Sequence, residues 1–227
     1  MKQYAVIVAG GSGTRMGGGI PKQFRSLSGK PMLWWTMKAF HNENRDTNII
    51  LVLPEEFIQL WNDFFNTLPE EDRIPHQTTA GGDSRTESVK KGLTLIKEED
   101  SIVAIHDGAR PLVKPELIKK GWKIAGEKRA ALPVIPVSDS LREINEKGES
   151  KATDRERFRA VQTPQVFHTA LLKRAYEETQ GSVFTDDASV VEAIGMKVTL
   201  FDGDPSNLKI TTPADMAVAK ILMGENA

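Results

Sequence analysis

Short apolar runs alternate with longer stretches of helical period along this chain. Tyr4–Ala9, Asn48–Leu53, Ser101–His106, Ala130–Val137 and Lys197–Phe201 are each nearly continuous in apolar residues, as strands covered on both faces are. Prolines punctuate the stretches between them: Pro31, Pro54, Pro115 and Pro213 each stand where a first helical turn begins, a position at which proline's missing N–H costs nothing. Ser84-Arg85-Thr86-Glu87 has the form of a capping box ahead of Val89, Leu93 and Ile96, and predicts a helix over 84–97. Thr185-Asp186 reads as a further helix start. This alternation predicts an α/β fold, a mostly parallel sheet flanked by helices.

One segment breaks the rhythm. Residues 138–160 are too polar for a buried strand and carry a turn signal at Lys147-Gly148, which predicts a β-hairpin arm protruding from the domain. A long polar arm buries little surface alone, so a second copy of the chain is its simplest partner, with a mobile surface loop as the competing reading. No internal repeat or linker divides the sequence, and residues 1–227 read as a single domain bearing this arm.

Composition narrows the function. The chain has 30 Lys+Arg against 31 Asp+Glu, a formal net charge of -1, which argues against nucleic acid or an acidic membrane as the main partner. The absence of cysteine excludes disulfides, cysteine-based zinc sites and a cysteine nucleophile, and fits a reducing cytoplasm. The apolar run at the amino end is far shorter than an export signal's core and stops at glycines, so it reads as a buried strand. Cytoplasmic localisation is the expectation.

Ala9-Gly10-Gly11-Ser12-Gly13-Thr14-Arg15-Met16-Gly17-Gly18-Gly19-Ile20-Pro21-Lys22 follows the first strand. Glycines free the backbone N–H groups to converge on phosphate oxygens. A Walker loop is excluded because no Gly-Lys-Ser/Thr closes the run, and the strict dinucleotide GxGxxG is excluded because Met16 stands at its third glycine. A looser variant on Gly11, Gly13 and Gly17 survives, but no acidic residue lies about 20 positions on to hold a ribose. Arg15 and Lys22 flank the glycines, an arrangement suited to a nucleotide polyphosphate.

A second candidate is His106-Asp107-Gly108-Ala109-Arg110-Pro111, directly after a predicted strand. Ligands of open α/β sheets bind beyond the carboxyl ends of the strands, so Asp107 should share a crevice with the glycine loop and is a candidate magnesium ligand beside a triphosphate. An Asp capping a turn is the competing reading. The histidines form no HxxxH or HxH pair and no Gly-x-Ser-x-Gly elbow occurs, which leaves hydrolytic triads and histidine zinc sites without support.

Taken in order, the Gly-rich loop, Pro21-Lys22-Gln23-Phe24, Gly81-Gly82-Asp83-Ser84-Arg85 with Ser88-Val89, His106–Pro111, Gln162-Thr163-Pro164-Gln165-Val166-Phe167, Thr185-Asp186-Asp187-Ala188-Ser189 and Asn207-Leu208-Lys209-Ile210-Thr211 resemble the 2-C-methyl-D-erythritol 4-phosphate cytidylyltransferase family of the non-mevalonate isoprenoid pathway. The resemblance implies a Rossmann-like fold, CTP and Mg²⁺ as requirements, and a homodimer with interlocked arms. It implies catalytic roles for Arg15, Lys22 and Lys209. It implies a CTP site at Ala9, Gly10, Gly11, Ser12, Gly13, Gly82, Asp83, Ser88 and Asp107, with Asp107 also near the metal. The sugar-phosphate site falls on Arg110, Thr163, Thr185 and Lys209, with Ser140 and Arg155 given by the partner's arm; Ser140 stands where the family usually has threonine. A pentitol-phosphate cytidylyltransferase, acting for example on ribitol 5-phosphate, and more distantly a dinucleotide-dependent reductase, remain as alternatives.

Overall fold

A computed structural model describes residues 1–10, 21–182 and 184–224. Among them, eight strands form one sheet. Its parallel part is β1 (Lys2–Val8), β4 (Asn48–Leu53), β5 (Gln77–Ala80) and β6 (Ser101–Asp107), with β1 between β6 and β4 and with β5 outermost. Beyond β6 the direction reverses at β11 (Gln165–His168), which runs antiparallel to both β6 and β7 (Ala130–Pro136). β10 (Arg159–Val161) precedes it along β7, and β12 (Thr199–Asp202) pairs with β7 in parallel. Two small ribbons stand apart, β2 (Ser26–Leu27) with β3 (Lys30–Pro31), and β8 (Leu141–Ile144) with β9 (Ser150–Thr153).

Alternate residues of the strands feed two cores. Ala5, Ile7, Leu51 and Ala104 face α1 (Met32–Glu43), α2 (Ile58–Thr67) and α4 (Pro115–Lys128), which supply Trp34, Phe40, Trp61 and Trp122. Val6, Val52, Val103 and Ile105 face α3 (Arg85–Thr94), α5 (Thr169–Glu178) and α6 (Asp187–Ala193), which supply Val89, Leu93, Leu172 and Val191. The period of two in the strands thus covers both sheet faces with helices, which accounts for the continuous apolar runs. Three of the four tryptophans are buried core residues, and Trp35 is partly buried beside them. No helix among the described residues is long and apolar enough to cross a membrane.

The predicted elements need small corrections. Ser84 caps α3 by accepting from the Glu87 N–H at 3.1 Å, but the Glu87 carboxylate reaches the N–H of Asp83 at 2.8 Å rather than that of Ser84. The helix ends at Thr94 instead of 97, because Leu95 and Ile96 bond to carbonyls three residues back, at Gly92 and Leu93, and the last turn tightens. The ladder of β12 starts at Thr199, opposite Ala131, two residues later than expected. A complete capping box on Thr212 and Asp215 opens α7 (Pro213–Leu222).

Segment 138–160 does carry a hairpin, β8 with β9, turning at Gly148 with φ +79, a conformation that glycine adopts freely, but its last residues, Arg159 and Ala160, pair with Pro136 and Ile135 in the main sheet rather than in a protruding arm. The Asn145 side chain accepts from the N–H groups of Lys147 and Glu149 and closes the turn. Ile144 at the turn is 69% exposed and Phe158 beyond the hairpin is 44% exposed.

Gly92 shows how tightly α3 sits on the sheet: a Cβ there would lie 2.5 Å from Val6 Cγ1 and 3.0 Å from Val52 Cγ2. Helix propensity alone favours alanine by about 1 kcal/mol, while overpacking a stiff core costs roughly 1–3 kcal/mol. Gly92→Ala is therefore expected to lose about 1 kcal/mol net in urea denaturation. A gain in stability would show that the valines give way.

Candidate active site

The parallel strands deliver their carboxyl ends to one rim. Val8 pairs with Asp107 in the register of β1 and β6, and the turns beyond are tied across the sheet: Gly108 N–H donates to Val8 O at 2.9 Å, Ala9 N–H to Val52 O at 2.9 Å, and Gly81 N–H to Leu53 O at 2.7 Å. Because β11 is reversed, its start lies at the same rim, and Gln165 pairs with Ile105. That reversal brings Thr163 beside Asp107.

Two chambers open here. One, of about 290 Å³, is lined by Gly10, Lys22, Gly82, Asp83 and Ser88, among others. The second, of about 240 Å³, is lined by Arg110, Gln162, Thr163, Thr185 and Asp186, among others. Arg85, Asp107 and Lys209 line both and form the shared wall.

Asp107 is the centre of that wall. Its carboxylate meets Lys209 Nζ at 2.8 Å, Arg85 Nε at 3.5 Å and Arg110 Nε at 3.6 Å. Burial alone would raise its pKa, but Lys209, Arg85 and Arg110 outweigh that and hold it well below the usual carboxylate range. Arg85 is held in turn by the fully buried Asp187 at 2.6 Å, whose other oxygen accepts from Tyr176 OH at 2.5 Å. Burial works against the Arg85 charge, yet Asp187 and Asp107 more than restore it.

Hydrogen bonds fix the remaining pieces. Arg110 Nη1 donates to Asn207 O at 2.7 Å, Asn207 Nδ2 to Thr163 O at 2.8 Å, and Ile210 N–H to Ala109 O at 2.9 Å. The side-chain amide of Gln162 donates to Asp204 O at 2.8 Å and accepts from Asp204 N–H at 3.1 Å. The loop that carries Lys209 is thereby pinned to the segment that carries Thr163. Lys22 Nζ donates to Ile210 O at 2.9 Å. In the first chamber, Gly82 N–H donates to Ser88 Oγ at 3.1 Å.

His106 lies behind Asp107, fully buried. Its Nε2 sits 3.3 Å from Arg110 O, and since a carbonyl only accepts, Nε2 carries the proton. Nδ1 then accepts from the Thr163 hydroxyl at 2.9 Å, and the same hydroxyl oxygen accepts from Asp107 N–H at 3.2 Å. A base whose two nitrogens are both engaged in this way is a scaffold for the site rather than a proton carrier.

Of the residues singled out in the sequence, Gly10, Lys22, Gly82, Asp83, Ser88, Asp107, Arg110, Thr163, Thr185 and Lys209 meet at the two chambers. Ala9 is buried behind the lining instead of on it. Gly11, Ser12, Gly13 and Arg15 lie outside the described residues. Ser140 and Arg155 are exposed on the arm and line neither chamber of their own chain; Arg155 donates to Ser138 O. No group of three or more His, Asp or Glu side chains able to hold a metal ion occurs among the described residues.

The family model for 2-C-methyl-D-erythritol 4-phosphate cytidylyltransferase matches residues 3–225. The chain belongs to this family. It is 47% identical over 225 residues to the enzyme of that name from Bacteroides fragilis and 44% identical over 223 residues to that from Phocaeicola vulgatus, in each case covering 98% of this chain and all of the relative. The crystal structure of the Thermus thermophilus enzyme of that name superposes with a TM-score of 0.78 at 33% identity, covering 98% of both chains.

Membership in the cytidylyltransferase family gives the two chambers a meaning that sequence reading left incomplete. The sequence marks Arg85 as the first turn of a capped helix and does not reveal its place on the shared wall. Its signal is present in the sequence, since only Ser84 separates it from the Gly81-Gly82-Asp83 run, whose Gly82 and Asp83 line the first chamber. His106 stands in the second candidate motif, but its bond to Thr163 cannot be read there, and the pairings of Gln162 with Asp204, Asn207 with Thr163 and Asp187 with Arg85 are equally distant in sequence.

Burial holds His106 down at about 4 from an ordinary 6.5, although Asp107 pulls the other way. As the pH falls below the ordinary value, the unfolded chain takes up a proton that the folded chain refuses, so the stability contributed by neutral His106 is present above 6.5 and lost toward 4. Urea denaturation should show a loss of about 2 kcal/mol from about pH 7 to about pH 5. The largely buried His76, also pushed down by burial, acts in the same direction. A flat profile over this window would contradict the assignment.

Proposed function

We propose that the chain transfers a cytidylyl group from CTP to 2-C-methyl-D-erythritol 4-phosphate, giving 4-diphosphocytidyl-2-C-methyl-D-erythritol and pyrophosphate. The observation that carries this reading is the pair of chambers sharing a cationic wall. A transfer between two phosphorylated substrates needs such an arrangement, with one pocket for each and positive charge between them. The nucleotide occupies the chamber at Gly10, Gly82, Asp83 and Ser88, with Gly11, Ser12 and Gly13 offering backbone N–H groups. The acceptor phosphate occupies the chamber at Arg110, Thr163 and Thr185.

The acceptor phosphate is a monoester, already anionic at neutral pH, so no side chain has to remove a proton. It attacks the α-phosphorus in line, the bond to the bridging oxygen breaks, and that oxygen's electron pair leaves with pyrophosphate. Arg15, Lys22 and Lys209 neutralise the charge that builds on the α-phosphate and the leaving group. This division of labour accords with a site whose one buried histidine is fully engaged in hydrogen bonds.

Asp107 fits a magnesium ion as a protein ligand. It is a hard oxygen donor, kept ionised, at the rim of the nucleotide chamber, and magnesium takes one or two carboxylates with phosphate oxygens completing its shell. Bound there, the ion would supply further charge neutralisation to the triphosphate. The rest of the reading concerns assembly: a single nucleotidyltransferase domain spans 1–227, it works in the cytoplasm, and the arm at 138–160 docks on a second copy and offers Ser140 and Arg155 to the partner's acceptor chamber. The exposed apolar side chains Ile144 and Phe158 support a covered arm.

Pyrophosphate release measured with CTP and Mg²⁺ tests the reaction. Methylerythritol phosphate is expected to give release, and ribitol 5-phosphate or no acceptor to give none. Release with ribitol phosphate alone would assign the chain to pentitol phosphates, and no release with either would overturn cytidylyl transfer. The arm has its own test. Arg155→Ala should raise KM for the acceptor about tenfold or more, the loss of a charge-assisted phosphate contact. Mixing this variant with an inactive Lys209→Ala chain should recover part of the activity, because mixed dimers regain one intact site. No recovery after subunit exchange would mean that Arg155 acts within its own chain or not at all.

A further inference from the structure

We infer that Arg85 is a positioning residue: anchored by Asp187, it braces the two chambers against each other and keeps Asp107 in place when Lys209 turns from Asp107 to the phosphates. The inference deepens the two-substrate reading above and rests on it. Three cationic side chains face Asp107. Lys209 is the nearest, at 2.8 Å, and the most exposed, at 45% against 29% for Arg85 and 10% for Arg110. An ammonium on a flexible stem can change partners, whereas a planar guanidinium held at two edges cannot.

Arg85 is held in that way. Its Nη2 donates to Asp187 Oδ2 at 2.6 Å while its Nε faces Asp107 Oδ1 at 3.5 Å. Asp187 is fully buried and also accepts from Tyr176 OH. Arg85 could not move away without leaving a buried carboxylate unpaired, which folded proteins avoid. It is therefore the standing counterion of Asp107.

The two ends of the ion pair also sit where the chambers are built. Arg85 opens α3 directly after Gly82, Asp83 and Ser84, which line the nucleotide chamber. Asp187 opens α6 directly after Thr185 and Asp186, which line the acceptor chamber. One bond thus fixes the spacing of the two walls across which the reacting phosphates meet. Misplacement there would slow the chemical step while leaving each substrate's own contacts intact.

The test uses the full chain and two variants. Arg85→Gln combined with Asp187→Asn removes both charges and so strands no buried carboxylate. Arg85→Lys keeps a charge that cannot span both carboxylates. Wild-type pyrophosphate release with CTP and methylerythritol phosphate is the control, and its absence would sink the reaction and not this inference. With an active wild type, the double variant is expected to keep its circular-dichroism spectrum and cooperative melting. Its KM for each substrate should stay within about threefold, while kcat falls about 10- to 100-fold. Arg85→Lys should recover part of the lost kcat. A wild-type kcat in the double variant would overturn the inference, as would a loss of kcat matched by loss of folded protein. A rise in either KM with kcat unchanged would instead make Arg85 a substrate contact. If the double variant does not fold, Arg85→Lys decides alone: reduced kcat at unchanged KM supports the brace, and unchanged kcat refutes it.

Discussion

Asp107 ends a strand that is buried along its whole length, yet its carboxylate stays ionised because Lys209, Arg85 and Arg110 surround it. A buried charge is tolerated only where partners compensate it. Each partner here is itself tied down by a different part of the fold: Arg85 by α6, Arg110 by the loop at Asn207, and Lys209 by the backbone pairing of Ile210 with Ala109. The elements around the rim are thus fastened to one another through a single anion. The same contacts leave a cationic wall where two phosphorylated molecules must be held close together.

Seen from this wall, the near-zero net charge is a matter of distribution rather than of neutrality. Lys22, Arg85, Arg110 and Lys209 come from four separate stretches of chain and converge on the two chambers. A near-zero total is thus compatible with a local convergence of cations able to hold short anions.

Much of the fold is legible in advance because both sheet faces are covered by helices, which writes the central strands β1, β4 and β6 as nearly unbroken apolar runs; β5, Gln77-Thr78-Thr79-Ala80 at the sheet's edge, is polar and carries no such signal. β10 and β11 escaped for the converse reason. Arg159 and Pro164 interrupt the apolar pattern, and between Val161 opposite Val134 and Val166 opposite Ala131 the β10–β11 segment uses two more residues than β7. A proline cannot donate to a ladder, so the segment reads as arm and turn although it lies inside the sheet. The site was legible where short motifs follow a strand end, as at Asp107 and Gly82. It was illegible where a role depends on pairing across the fold. Nothing local to Arg85 announces Asp187, and nothing local to Gln162 announces the backbone of Asp204. His106 looked like a lone histidine beside an aspartate; only its two hydrogen-bond partners make it a fixed neutral strut.

The reversed strand β11 also divides the labour of recognition. The first chamber draws on residues around 8–10, 22–23 and 82–88, at the exits of parallel strands, whereas the second draws on 161–165 and 185–186, at the entrance of the strand that runs the other way. Among the described residues, the two sets meet through Arg85, Asp107 and Lys209. Under the proposed assignment, substitutions at Val161 or Thr185, which line only the second of the two chambers and carry none of the bonds that pin Asp107 and Lys209, can therefore reshape that chamber while the first keeps its lining. A sheet built this way is modular: under the proposed assignment, the half at the parallel strand exits can stay as it is while the half at the reversed strand's entrance is re-engineered for a different phosphorylated alcohol.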